Sequence, residues 1–127
     1  MNSIQVIRLL HAEAQAKGHD DVAFEQGRLF CATGAQVRYI VVLLKEIVEG
    51  DDLRHRLTEA IWGIDGGSTK GLSIRQASAW IDWLIGGEQG RWTPTENSRQ
   101  AMLRVLVERC GTPPEELGFG WKQEVLL

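Results

Sequence analysis

Three stretches of this chain carry the same signature of a helix start: Thr33-Gly34-Ala35-Gln36, Ser73-Ile74-Arg75-Gln76 and Thr93-Pro94-Thr95-Glu96. In each, a hydroxyl can accept from an orphan N–H of the first turn. The Gln or Glu three residues later reaches back to the N–H of the hydroxyl residue. Pro94 falls at the first helical position, where its missing donor costs nothing. Leu72, just ahead of Ser73, is placed to staple onto Ala77. The stops agree with the starts. Gly18, Gly50, Gly63, Gly86 and Gly111 each follow an apolar-periodic segment, where a left-handed residue is wanted. Pro113-Pro114 blocks continuation beyond the last segment. Together these signals predict helices over about 3–17, 34–49, 52–62, 73–85 and 94–110, with a shorter one near 20–30.

Periodicity supports the assignment. Val37, Ile40, Val41, Leu44, Ile47 and Val48 follow helical spacing, and Tyr39, Val42 and Leu43 make the rest of that surface apolar. The 34–49 helix is therefore expected at the centre. Helix 73–85 presents Ile74, Ala77, Ile81 and Leu84 on one face, with Trp80 and Trp83 beside it as core. Helix 94–110 offers Leu103, Leu106, Val107 and Cys110, and spaces Arg104 and Glu108 for an i, i+4 pair. Without an Asn-Gly hairpin signal or sustained alternation, strands are not favoured. The fold expected over residues 1–127 is a single all-α domain, a compact bundle of about five helices with a short, irregular C-terminal tail. Two glycine-rich loops punctuate it, 63–72 and 86–92, the second placed as a hinge.

Composition limits the function classes. With 43% apolar and 24% charged residues in 127, the chain is of the soluble globular type. Its longest apolar run, 39–44, is far short of the roughly 18 residues of a membrane span. The first residues show neither a basic leader nor a small-residue cleavage site, so a cytoplasmic setting is expected. Cys31 and Cys110 are too few for a disulfide scaffold and lack metal-ligand spacing. His11, His19 and His55 are scattered, and Ser68-Thr69-Lys70-Gly71 reverses the order of a phosphate loop. No nucleophile elbow occurs. No catalytic site, metal or cofactor is expected, and the chain reads as a non-enzyme.

The formal charge is −3, and residues 1–33, 34–92 and 93–127 each carry one more acidic than basic side chain. Tight duplex binding normally requires clustered Lys and Arg that release counterions. Here any grip on nucleic acid rests on a few placed cations or on a partner.

Residues 34–85 carry a longer pattern. Gln36-Val37-Arg38-Tyr39-Ile40 opens a helix and Gly63 closes the next. Ser68-Thr69-Lys70-Gly71-Leu72-Ser73 then leads into Gln76-Ala77-Ser78, Ile81 and Leu84. This resembles a small helical module of phage and mobile-element accessory proteins: the C-terminal part of GemA-like regulatory proteins, and segments appended to single-strand-annealing recombinases. The resemblance implies a nucleic-acid-associated accessory role in DNA recombination, replication or defence. It spans about 50 of the 127 residues and does not reach 1–33 or 94–127. Most of the pattern is also what an antiparallel helical unit needs to fold: Leu72, Ala77, Ile81 and Leu84 as core, Ser73 and Gln76 as a cap.

The polar remainder supplies the candidate contacts. Arg38, Lys70 and Arg75 lie near helix starts, and Arg54 and Arg56 on the intervening helix, positions suited to phosphate. Arg91-Trp92 beside the glycine loop offers a cation and a stacking surface for an unpaired base, or else Trp92 covers a helix end. Phe119 and Trp121 in the apolar tail either dock on the body or fill a partner's groove. Two readings follow. In the first the chain makes weak single-strand contacts directly. In the second it is a helical adaptor or small structural subunit of a larger nucleic-acid-processing complex, binding protein instead. A common exposed stripe of Arg favours the first, and dispersal among Asp and Glu favours the second. Both leave self-association open, and neither involves a membrane.

Overall fold

The computed structural model describes residues 1–17 and 31–120, with side chains as far as Leu117. The helix expected near 20–30, His19, the Phe119 side chain and Trp121 lie outside the described residues. Five α-helices are present among those described: α1 (Ser3–Ala16), α2 (Gly34–Lys45), α3 (Asp51–Trp62), α4 (Ile74–Leu84) and α5 (Glu96–Cys110). Short 3-10 turns follow α3 at Asp65–Gly67 and Thr69–Gly71, and another runs over Pro114–Gly120. The described residues contain no strand, only an isolated bridge between Cys31 and Ser73. The protein is an all-α bundle with an irregular C-terminal segment, as the capping pattern predicts.

Two of the three capping boxes form as spaced. Thr33 accepts from the Gln36 N–H at 3.1 Å while Gln36 accepts from the Thr33 N–H at 3.0 Å. Ser73 and Gln76 repeat the exchange at 3.1 and 2.9 Å. Leu72 and Ala77, the predicted staple, are both fully buried. A further box caps α1, with Asn2 and Gln5 in the two roles. It is the same spacing with Asn in place of a hydroxyl residue.

The third box does not form. The α5 cap is Thr95, whose hydroxyl accepts from the Ser98 N–H at 3.1 Å, and Pro94 lies buried ahead of the helix. The chain is held elsewhere before it can coil. The Arg91 guanidinium donates to the carbonyls of Thr93 (2.7 Å) and Pro94 (3.3 Å), and the Thr95 N–H donates to Leu84 O at 2.9 Å. The same bonds remove the expected hinge at 86–92. Gly86, Gly87 and Glu88 donate back to Trp83, Asp82 and Ile85, so this loop is a tied corner between α4 and α5. Gly50 also changes role. Because α2 ends at Lys45, Gly50 (φ +87°) caps the start of α3 instead of closing α2.

Packing places α4, not α2, at the centre. Helix α4 lies against α1 and α2, and α5 lies against α3 and α1. Ala77, Ala79, Trp80 and Leu84 of α4 are fully buried, the small pair allowing close helix approach. Helix α2 buries Ile40, Leu43 and Leu44 but leaves Val42 39% exposed. It sits at the edge of the bundle because a single helix face satisfies its contact with α4. Polar bonds fix the helix ends: Lys17 Nζ donates to Asp82 across α1 and α4, and Arg99 Nε donates to Glu46 O at 3.3 Å across α5 and α2.

Candidate functional site

The candidate cations do not form a stripe. On α3, Arg54 is held by Asp51, and Arg56 by Asp52 at 2.9 Å, so the first turn of that helix neutralises the next. Arg91 pairs with Glu88 at 3.1 Å besides its two carbonyl bonds. Its guanidinium is a strut for the 88–94 corner. Arg75 lies half-buried in the first turn of α4, beside a small pocket it lines with His11, Trp62, Ser73 and Gln76. Arg38 on α2 and Lys70 in the second 3-10 turn are exposed, and neither has an acidic partner among the described residues.

Trp92 does not cover a helix end. Its side chain is 60% exposed, and its ring leans on Tyr39 with centroids 4.6 Å apart and planes 39° from parallel. The Tyr39 hydroxyl donates to the Arg91 carbonyl, anchoring the corner from the α2 side. Along α2, Arg38 and Val42 are exposed one helical turn apart, and half-buried Tyr39 follows about 100° round the helix from Arg38, so cation, aliphatic and aromatic groups share one broad strip.

Sequence reasoning missed a second surface. The start of α1 meets the end of α5, where the Ser3 N–H donates to Glu108 at 3.2 Å, and a gap lies between the two helices nearby. Trp83, half-buried on α4, floors the gap. One cavity of about 540 Å³ lies among Asn2, Val6, Leu9, Trp83, Ala101 and Arg104. Another of about 480 Å³ shares Trp83, Asn97 and Ser98 and extends to Glu13, Asp82 and Gly86. Both volumes fall within the range of small-ligand and anchor pockets. The polar side chains on the walls serve the fold. Thr95 Oγ1 donates to Ser98 Oγ at 2.9 Å, which in turn donates to the Trp83 carbonyl at 2.8 Å. The only sequence signal for this groove is Trp83, one position off the buried stripe of α4.

His11 is bound into the fold. The His11 ring stacks on Trp62 at 5.0 Å, and its Nε2–H donates to Ile61 O. Among the described residues no cluster of His, Cys, Asp and Glu is placed to hold a metal ion, and no helix is long and apolar enough to cross a membrane. Burial pushes the Cys110 thiol above its ordinary pKa, outweighing the opposing pull of Arg56 and Arg109. Less thiolate means slower alkylation. In a timed iodoacetamide pulse near neutral pH, exposed Cys31 is therefore expected to label at least several-fold faster than half-buried Cys110, read by peptide mass spectrometry. Equal rates would contradict the burial argument.

No protein-family profile, no curated protein and no solved structure matches the chain, so its surfaces are interpreted on their chemistry.

Proposed function

We propose that this chain is a non-catalytic helical adaptor that binds a protein of a larger nucleic-acid-processing assembly through the groove floored by Trp83. The observation that carries the reading is the fate of the cations. Arg54, Arg56 and Arg91 are spent on Asp51, Asp52 and Glu88, which leaves too little concentrated positive charge for a stand-alone grip on DNA or RNA. The groove is the complementary half of the argument. Half-buried Leu9, Trp83 and Ala101 give the groove apolar area among the polar Asn2, Asn97, Gln100 and Arg104, the mixed lining on which an amphipathic segment of a partner can be received between two helices. Its wall hydroxyls are used for helix capping and for joining α4 to α5, which supports a binding role over catalysis. The resemblance of residues 34–85 to the phage accessory module supports DNA recombination, replication or defence as the setting, in the cytoplasm.

Two measurements test this together. Titration of the full chain with duplex DNA at about 50 mM salt is expected to show no binding. A photo-crosslinker at position 101, introduced in cells of the source, is expected to capture a protein whose complex then reconstitutes from purified components. Ala101→Arg, which fills the groove, removes that complex. Tight, salt-sensitive DNA binding lost on Arg54→Gln and Arg56→Gln would overturn the adaptor reading in favour of direct nucleic-acid contact.

A further inference from the structure

Apart from the groove, one surface is built as a binding platform without serving the fold. Trp92 exposes 60% of its side chain, yet it is not on a loose loop. The backbone on both sides is fixed, by the Arg91 guanidinium on the carbonyls of Thr93 and Pro94, by the Arg91 N–H on Glu88 O at 3.2 Å, and by the Tyr39 hydroxyl on the Arg91 carbonyl. Tyr39 supports the indole from behind. An aromatic held rigidly outward is preorganised for a ligand, because little freedom remains to be lost on binding. One residue before Tyr39 on α2, the exposed cation Arg38 has no acidic partner among the described residues, whereas Arg91, the other cation at this corner, is occupied by Glu88.

We propose that this strip binds one unpaired nucleotide of a single strand, the base stacked on the outer face of Trp92 and the adjoining phosphate on the Arg38 guanidinium. An apolar pocket of a protein partner would take the indole but has no use for Arg38 on the same strip, whereas a nucleotide carries both a base and a phosphate. A nucleobase needs only an open π face and a nearby cation. The duplex is excluded because its bases are stacked on one another. This contact is separate from the Trp83 groove and adds a local touch on the strand to a protein held in place by its partner.

The test uses the full chain with three probes at low salt: oligothymidylate of about a dozen nucleotides, the same strand made abasic, and duplex DNA. Oligothymidylate is expected to quench tryptophan fluorescence with weak affinity. One phosphate contact predicts a log–log salt slope of about −0.7. Trp92→Ala weakens binding by about tenfold, in the range of a single stacked base, and Trp92→Phe retains most of it. Arg38→Gln flattens the salt slope. Circular dichroism of each variant is expected to match the parent, since Trp92 and Arg38 are exposed. The inference is overturned if oligothymidylate does not bind, if the abasic strand or duplex binds equally well, or if Trp92→Ala has no effect. It is equally overturned if light scattering shows the chain self-associating through Trp92. Failure to bind any strand leaves the adaptor reading standing. A steep salt slope abolished by Arg54→Gln and Arg56→Gln overturns both.

Discussion

Gly67→Ala is expected to lower stability by about 3 kcal/mol or more, whereas Gly66→Ala beside it costs only about 1–2 kcal/mol. Both glycines have positive φ, +77° at Gly66 and +69° at Gly67, so both substitutions carry the left-handed strain of an L-residue. Their surroundings differ. A Cβ on Gly66 meets nothing within 4 Å. One on Gly67 would lie 2.7 Å from the Cα of His55 and closer still to its carbonyl. His55 is in the middle of α3, where backbone cannot yield without breaking the helix. The turn must therefore lift off α3 and expose Ile64 and Leu72, which it packs onto the core. Native stability is only about 5–15 kcal/mol in total, so the loss is a large fraction of it. Urea melts followed by circular dichroism provide the check. Similar midpoints for the two variants would show that the close approach at Gly67 is not required.

Trp80→Ala is expected to cost about 3–5 kcal/mol, since the indole is fully buried in the centre of α4 and its removal leaves a cavity. Trp80→Phe is expected to cost much less. The Trp80 Nε1–H is buried and has no acceptor among the described residues, so the indole carries an unsatisfied donor as well as its apolar bulk. Phe discards a donor whose burial costs about 1–3 kcal/mol and gives up part of the packing. The two effects oppose each other at position 80. Trp62, 6% exposed, ringed by His11 and Trp80, has the same unpaired Nε1–H. A Trp80→Phe variant as unstable as Trp80→Ala would mean that the N–H is bonded after all.

The helices were legible because their signals are local. A cap needs a hydroxyl and an amide three residues apart, and Thr33–Gln36 and Ser73–Gln76 both form the exchange their spacing dictates. Thr93–Glu96 has that spacing too and fails, because Arg91 and Leu84 claim the 93–95 backbone first. The same competition turned a glycine-rich stretch into a tied corner. Composition marks where a chain can bend, and only the partners of its N–H and carbonyl groups decide whether it moves. Helix α2 illustrates another limit. Its apolar residues encircle it, yet a neighbour covers one side alone, so Val42 and part of Tyr39 face outward.

By itself the sequence determined the all-α class, the approximate bounds of the five helices among the described residues, the caps that start two of them and the buried face of α4. All of these depend on neighbours within about one turn. The tertiary structure alone decided which helix is central and where a partner has room. Each of those turns on groups far apart in the chain: Trp83 between α1 and α5, Trp92 against Tyr39, Gly67 against His55. The pairing of Arg54, Arg56 and Arg91, by contrast, is local, since each has an acid three or four residues before it. Among the described residues no acid stands within reach of Arg38, and a charge already paired has little attraction left for a phosphate.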